Sequence, residues 1–165
     1  VILAGNHMGF WDPVVVAAFV DRPIHFMAKE ELFEHVLLAK LLRKLNAFPV
    51  KRGSPDRTAL KTALRILEED KVLGMFPEGT RSKTGELSKP QQGIAILVLK
   101  SRAPIVPVMF IGTRKIFPWA WFSPVIVKIG APISYDEYYD AKLSTSLLEE
   151  ISRDIMDKIS VLRAS

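Results

Sequence analysis

Asn6-His7-Met8-Gly9-Phe10-Trp11-Asp12-Pro13 comes just after the apolar run Val1-Ile2-Leu3-Ala4. An apolar run that ends in a sharp polar turn reads as a buried strand opening into a loop. Asp12-Pro13 reads as the start of the next helix, with Asp12 as N-cap and Pro13 at the first helical position. His7 then sits at a strand end and Asp12 at a helix start, and the turn can bring them together. An imidazole oriented by a carboxylate is a common way to make a general base near neutral pH. The same two residues also occur as an ordinary histidine and cap. A metal site fits poorly, because the chain has no Cys and His25 and His35 are not spaced with His7 as a ligand set.

A second strand-to-loop passage repeats the pattern. Val72-Leu73-Gly74-Met75-Phe76 empties into Pro77-Glu78-Gly79-Thr80-Arg81-Ser82. Gly79 permits positive φ or a close backbone approach. Arg81 offers a planar fork for phosphate or carboxylate. Two polar loops at strand C-terminal ends suggest a site built on a parallel sheet, where open α/β folds place their ligands.

The rest of the chain alternates strand-like and helix-like patterns, which predicts a single α/β domain with a mostly parallel central sheet flanked by helices. Helices are expected over Pro13 to Val20, from Ser54-Pro55 onward with Leu60, Ala63, Leu64 and Leu67 on one face, and over Gln91 to Ser101. The last is expected from Ser146, where Ser146-Leu147-Leu148-Glu149 spells a capping box, with Leu148, Ile151, Ile155, Ile159 and Leu162 inward. Strands are expected over Ile24 to Ala28, Ile105 to Phe110 and Val125 to Ile129. Pro107 cannot donate to a ladder and implies an edge position or a bulge. In Glu31 to Leu45 the apolar stripe changes sides near Leu37-Leu38. Either the helix breaks there, or it is apolar on two sides and meets something besides the core.

The chain has 165 residues with 48% hydrophobic and 25% charged, enough for one real core and too apolar for disorder. The formal net charge of +5 is uneven: from Lys40 to Arg65 eight basic residues face one acid, Asp56. Such a stretch suits an anionic partner: phospholipid headgroups, a phosphorylated substrate or a nucleic acid. No nucleic-acid module is visible. Arg114 to Phe122 interleaves Phe117, Trp119, Trp121 and Phe122 with two cations, a pattern suited to the headgroup region of a bilayer or to a buried cluster under a loop. No apolar run approaches the ~20 residues of a spanning helix. The first residue is not Met and lies inside a strand, so a fragment lacking an upstream membrane-associated segment is expected.

Four blocks in order resemble those of the glycerolipid acyltransferases, most closely the bacterial lysophosphatidic acid acyltransferases. His7 to Asp12 resembles their His-x-x-x-x-Asp block, and Phe48-Pro49-Val50-Lys51-Arg52-Gly53 the block ending in a substrate-binding Arg. Phe76-Pro77-Glu78-Gly79-Thr80-Arg81-Ser82 and Ala103-Pro104-Ile105-Val106-Pro107-Val108 resemble the other two. The resemblance implies acyl transfer from acyl-CoA or acyl carrier protein to the free hydroxyl of a lysophospholipid, without a covalent intermediate. It implies His7 as general base with Asp12 holding the imidazole, no metal, and no cofactor beyond the donor. Arg52, Glu78, Gly79, Thr80 and Arg81 would bind the acceptor. Physically, the arginines suit its phosphate, Glu78 a glycerol hydroxyl or an arginine, and Lys29 is a further cation. Gly9 departs from the family pattern, where many members carry Ser. The expected location is the cytoplasmic face of a membrane with anionic lipids. A thioester or lipid-ester hydrolase using His7 and Asp12, a transferase for another acceptor, and a non-catalytic lipid-binding module are the alternatives.

Overall fold

The computed structural model describes residues 1–51, 53, 55–115 and 124–164. The strands are β1 (Ile2–Gly5), β2 (Ile24–Lys29), β3 (Phe48–Val50), β4 (Val72–Met75), β5 (Ile105–Ile111) and β6 (Ile126–Ile129). They form one sheet in the order β3-β2-β4-β1-β5-β6. All neighbours run parallel except β5 and β6. The C-terminal ends of β3, β2, β4 and β1 therefore point the same way and lie in that spatial order.

Alternate residues of a strand face opposite sides of a sheet. Ile2 and Ala4 join one core with Leu73, Ile105 and Met109. Leu3 joins the other with Phe26, Val108 and Phe110. The first core is covered by α3 (Arg57–Glu68), α4 (Gly93–Ser101) and α5 (Thr145–Val161). Helix α4 is apolar on nearly every side, and its Ile94, Ala95, Leu97, Val98 and Leu99 are all buried. Each large side chain of that kind contributes roughly 1.5–3 kcal/mol on burial. The second face is covered by α1 (Asp12–Ala17), through Val16.

Several boundaries differ from expectation. Helix α1 is six residues long and its N-cap is Trp11, not Asp12; the Asp12 carboxylate turns back onto the preceding loop instead of capping. Asp56 caps α3, accepting the Thr58 and Ala59 N–H groups at 3.0 Å each. Ser144 caps α5 through Leu147, so no capping box forms at Ser146, and Glu149 instead approaches Gln92. The inward face of α5 is as expected: Leu148, Ile151, Ile155 and Ile159 are buried and Leu162 is partly buried.

Pro107 lies on β5, which has neighbours on both sides, so it is not at an edge. Val108 pairs with Ile129, and Ile105 pairs with Ile133. Three steps along β5 thus face four along its partner. The partner segment carries one extra residue opposite Pro107, and this bulge removes the demand for the missing N–H.

Of the two alternatives for 31–45, the structure takes the break. A 3-10 turn covers Glu30–Phe33, His35 is extended (φ −84, ψ 112), and α2 (Val36–Lys44) follows. The break falls before Val36, earlier than Leu37-Leu38. Ala39 is buried and Leu38 and Leu42 are half-buried. Leu37 is 83% exposed, with Leu41 and Leu45 exposed after it at four-residue spacing. Among the described residues no helix is long and apolar enough to cross a membrane.

Candidate active site

The site starts where β1 ends. Asn6 is fully buried, and its side chain substitutes for a strand partner. The Phe110 N–H donates to its Oδ1 at 2.7 Å, and its Nδ2 donates to the Phe110 carbonyl at 3.1 Å. The next residue is His7, 8% exposed. Its Nδ1 lies 2.8 Å from Asp12 Oδ2, and Asp12 is fully buried. That same oxygen accepts the N–H groups of Met8 at 2.7 Å and Gly9 at 2.8 Å. A carboxylate only accepts, so the geometry suits the tautomer of the neutral ring with its proton on Nδ1 and the lone pair on Nε2. The strand end and helix start do bring the two residues together, as their spacing predicted.

Gly9 is buried, and a Cβ built there would sit 2.7 Å from the Thr113 carbonyl oxygen. The neighbour is backbone and cannot swing aside. The departure from Ser at this position thus matches the close approach of the Thr113 turn.

The loop after β4 wraps His7. The Phe76 ring stacks on the imidazole with centroids 4.0 Å apart and planes 14° apart. Glu78 is 3% exposed. Its Oε1 accepts the His7 N–H at 2.8 Å and its Oε2 accepts the Ser88 N–H at 2.8 Å. The Ser82 N–H donates to the His7 carbonyl at 2.8 Å. The expectation of Glu78 on a glycerol hydroxyl or an arginine therefore meets a buried carboxylate already engaged at both oxygens.

The other expected residues that are described, Gly79, Thr80, Arg81 and Lys29, lie at or just after the C-terminal ends of β4 and β2. Gly79 has φ +72, and the Gln91 side chain lies 3.2 Å from where a Cβ would be. Thr80 and Arg81 are exposed, and among the described residues Arg81 has no hydrogen-bond or ion-pair partner. Lys29 ends β2, two strands from β1, with its Nζ 2.8 Å from Glu31 Oε1. Arg52 and the aromatic segment with Phe117, Trp119, Trp121 and Phe122 lie outside the described residues. Asn6, Phe76, Ser82, Ser88 and Thr113 were not singled out from sequence. Phe76 and Ser82 flank the Pro-Glu-Gly-Thr-Arg run and were findable by position. Ser88 acts through its backbone and leaves no side-chain signal. A separate hollow of about 370 Å³, lined by Arg22, His25 and Lys71 among others, contains none of these residues.

A buried His–Asp pair and a loop with an exposed arginine thus lie at the C-terminal ends of the neighbouring parallel strands β1 and β4. The sequence model of the Acyltransferase family matches residues 1–111. The chain belongs to this family of glycerolipid acyltransferases. It is 34% identical over 112 residues to a 1-acyl-sn-glycerol-3-phosphate acyltransferase of Bacillus subtilis, covering 67% of this chain and 55% of that one. It is 29% identical over 164 residues to one of Streptococcus pneumoniae, covering 98% and 60%. The crystal structure of the 1-acyl-sn-glycerophosphate (LPA) acyltransferase PlsC from Thermotoga maritima superposes with a TM-score of 0.72 at 25% identity, covering 99% of this chain and 66% of that one. The chain spans a little over half the length of those two relatives.

Proposed function

We propose that this domain transfers a fatty acyl group from a thioester, acyl-CoA or acyl carrier protein, to the free hydroxyl of lysophosphatidic acid, giving phosphatidic acid. The observation that carries the reading is His7 held at Nδ1 by Asp12, with Nε2 left to act. Nε2 takes the acceptor hydroxyl proton as that oxygen attacks the thioester carbonyl. The tetrahedral intermediate collapses to the ester and expels the thiolate, which takes the proton back from His7. Asp12 stabilises the transient imidazolium. The chain has no Cys, so no cysteinyl acyl-enzyme forms.

The acceptor phosphate is assigned to Arg81 and Arg52, with Gly79 and Thr80 beside it and Lys29 as a further cation along the strand ends. The exposure of Arg81, which has no partner among the described residues, supports this. Lysophosphatidic acid is the acceptor that the names of the Bacillus and Streptococcus relatives point to. The reading is tested by crossing several lysolipid acceptors with both donor types while following free thiol. Acceptor-dependent thiol release with phosphatidic acid formed is the expected result. Acceptor-independent release marks a thioester hydrolase.

The working surface is assigned to the cytoplasmic face of a membrane with anionic lipids. Leu37, Leu41 and Leu45 form an exposed apolar stripe, and Lys40, Arg43 and Lys44 are exposed beside it. An exposed basic and apolar helix face suits a lipid headgroup layer better than water.

A further inference from the structure

The base is held by more than its carboxylate. Asp12 fixes one ring nitrogen, which leaves the ring free to tip about that hydrogen bond and the main chain free to shift. Both motions are blocked by the segment after β4. The Phe76 ring lies against the imidazole face and is itself backed by Phe26 at 6.0 Å and Phe110 at 6.2 Å between centroids. Those two rings rest over glycines. A Cβ on Gly74 would meet the Phe26 ring at 2.2 Å, and one on Gly5 would meet the Phe110 ring at 2.6 Å. The His7 peptide is gripped on both sides, its N–H by Glu78 and its carbonyl by Ser82. Among the described residues Glu78 has no ion-pair partner; its two oxygens are held by two main-chain donors from segments far apart in sequence. A buried carboxylate in that arrangement ties backbone segments together.

We propose that Phe76 and Glu78 are positioning residues for His7, Phe76 setting the plane of the imidazole and Glu78 the place of its main chain. The inference rests on His7 being the base, and it gives the Phe-Pro-Glu-Gly-Thr-Arg-Ser block two tasks. Its outward residues, Thr80 and Arg81, meet the acceptor, and its inward residues, Phe76 and Glu78, serve the base. On this assignment the inward residues act through His7 and not on the acceptor, so losing either lowers turnover without weakening acceptor binding.

The test measures kcat and KM for lysophosphatidic acid and acyl-CoA in the full-length protein with E78Q, F76L and H7A. In E78Q one main-chain N–H faces an amide NH2 instead of an acceptor, and kcat is expected to fall roughly 10- to 100-fold. In F76L the stacked face is lost while an apolar side chain remains, and kcat is expected to fall about tenfold. In both, KM for lysophosphatidic acid stays within about threefold of wild type. A rise in acceptor KM with kcat preserved in E78Q makes Glu78 an acceptor ligand and overturns the inference, as does wild-type kcat in either variant. If thermal melting shows E78Q unfolded, E78D replaces it. E78D keeps the charge but is too short to reach both N–H groups, and the same split in kcat and KM is required of it. H7A separates the two readings. If H7A retains more than about a tenth of turnover, the base assignment itself falls. If H7A is inactive while E78Q and F76L turn over normally, only the positioning roles fall.

Discussion

Asp12 Oδ2 is 2.8 Å from His7 Nδ1 and simultaneously takes the main-chain N–H groups of Met8 and Gly9. One oxygen thus orients the imidazole and shapes the loop that carries it. In Asp12→Asn the amide oxygen can take over the N–H groups, so the fold is expected to persist. The charge opposite the imidazolium is lost, and turnover should fall by at least the ~10²-fold of an impaired general base. Initial rates with lysophosphatidic acid and acyl-CoA, beside a thermal melt, check this. Activity near wild type in a folded Asp12→Asn protein rules out the pair as the acting base.

Arg81 and Arg52 are expected to act on the acceptor alone. Replacing either by Ala removes a charge-assisted contact worth roughly 1.5–3 kcal/mol, or about 10- to 100-fold in acceptor kcat/KM. The donor KM should change far less. Running the same variants with an acceptor that lacks a phosphate gives the control, and an equal loss there counts against phosphate recognition.

Gly9 offers a test of the Thr113 turn. A methyl group at position 9 would press on the Thr113 carbonyl at 2.7 Å, so Gly9→Ala or Gly9→Ser must displace backbone. The cost is expected at about 1–3 kcal/mol, read as a melting temperature lower by several degrees. Because the displaced loop carries Asp12's partners Met8 and Gly9, turnover should drop too. A Gly9→Ser protein with unchanged melting and rate removes the contact from the account.

Asp56 supplies a pH-dependent prediction. Main-chain donors, first Lys51 and then Ala59, hold its carboxyl below the usual carboxylate range. A folded-state pKa below the unfolded one means the stabilisation is present above the unfolded pKa and is lost as pH falls through the folded one. Asp56→Ala should therefore cost about 1 kcal/mol at neutral pH, the usual value of an N-cap. The difference from wild type should shrink once pH drops below about 4. Denaturant melts of both proteins at pH 7 and pH 3 check the sign. An equal gap at both values means the ionised cap contributes nothing.

The stripe on α2 is the measurable part of the membrane assignment. Leu37→Ser with Leu41→Ser should weaken binding to anionic vesicles, and both residues are exposed enough that stability should hardly change. Lys40→Ala with Lys44→Ala should reduce binding by about 1 kcal/mol per charge at low salt, with less effect at high salt. Vesicle co-sedimentation at two ionic strengths decides between them. Undiminished binding by the double Leu variant places the bilayer contact elsewhere.

Much of the fold was legible because it is written in periodicity. Val1 to Ala4 and Val72 to Met75 are apolar runs that stop at polar loops, and the parallel sheet follows from helices between such runs. The His7–Asp12 pair was legible because four intervening residues span a tight turn. Glu78 was not, since a glutamate in a loop reads the same whether it faces a ligand or a distant main chain. Its two partners, at His7 and Ser88, are peptide groups and carry no residue signature. Asp12 before a proline spells a cap, but three donors of the preceding loop compete for the carboxylate and win. The stripe change after Glu31 signalled a broken helix, yet the break falls at His35 because the turn Glu30–Phe33 ends on its own hydrogen bonds.

Asn6 holds the main chain of Phe110, Glu78 holds the main chains of His7 and Ser88, and the Ser82 N–H meets the carbonyl of His7. The framework of the base is thus indifferent to the side chains at most of the positions it grips. Thr80 and Arg81, which point outward, take no part in it. On the proposed assignment, acceptor preference and base geometry are adjusted separately. Substitutions at 80 and 81 would then retune what is bound, while the imidazole stays where the sheet has put it.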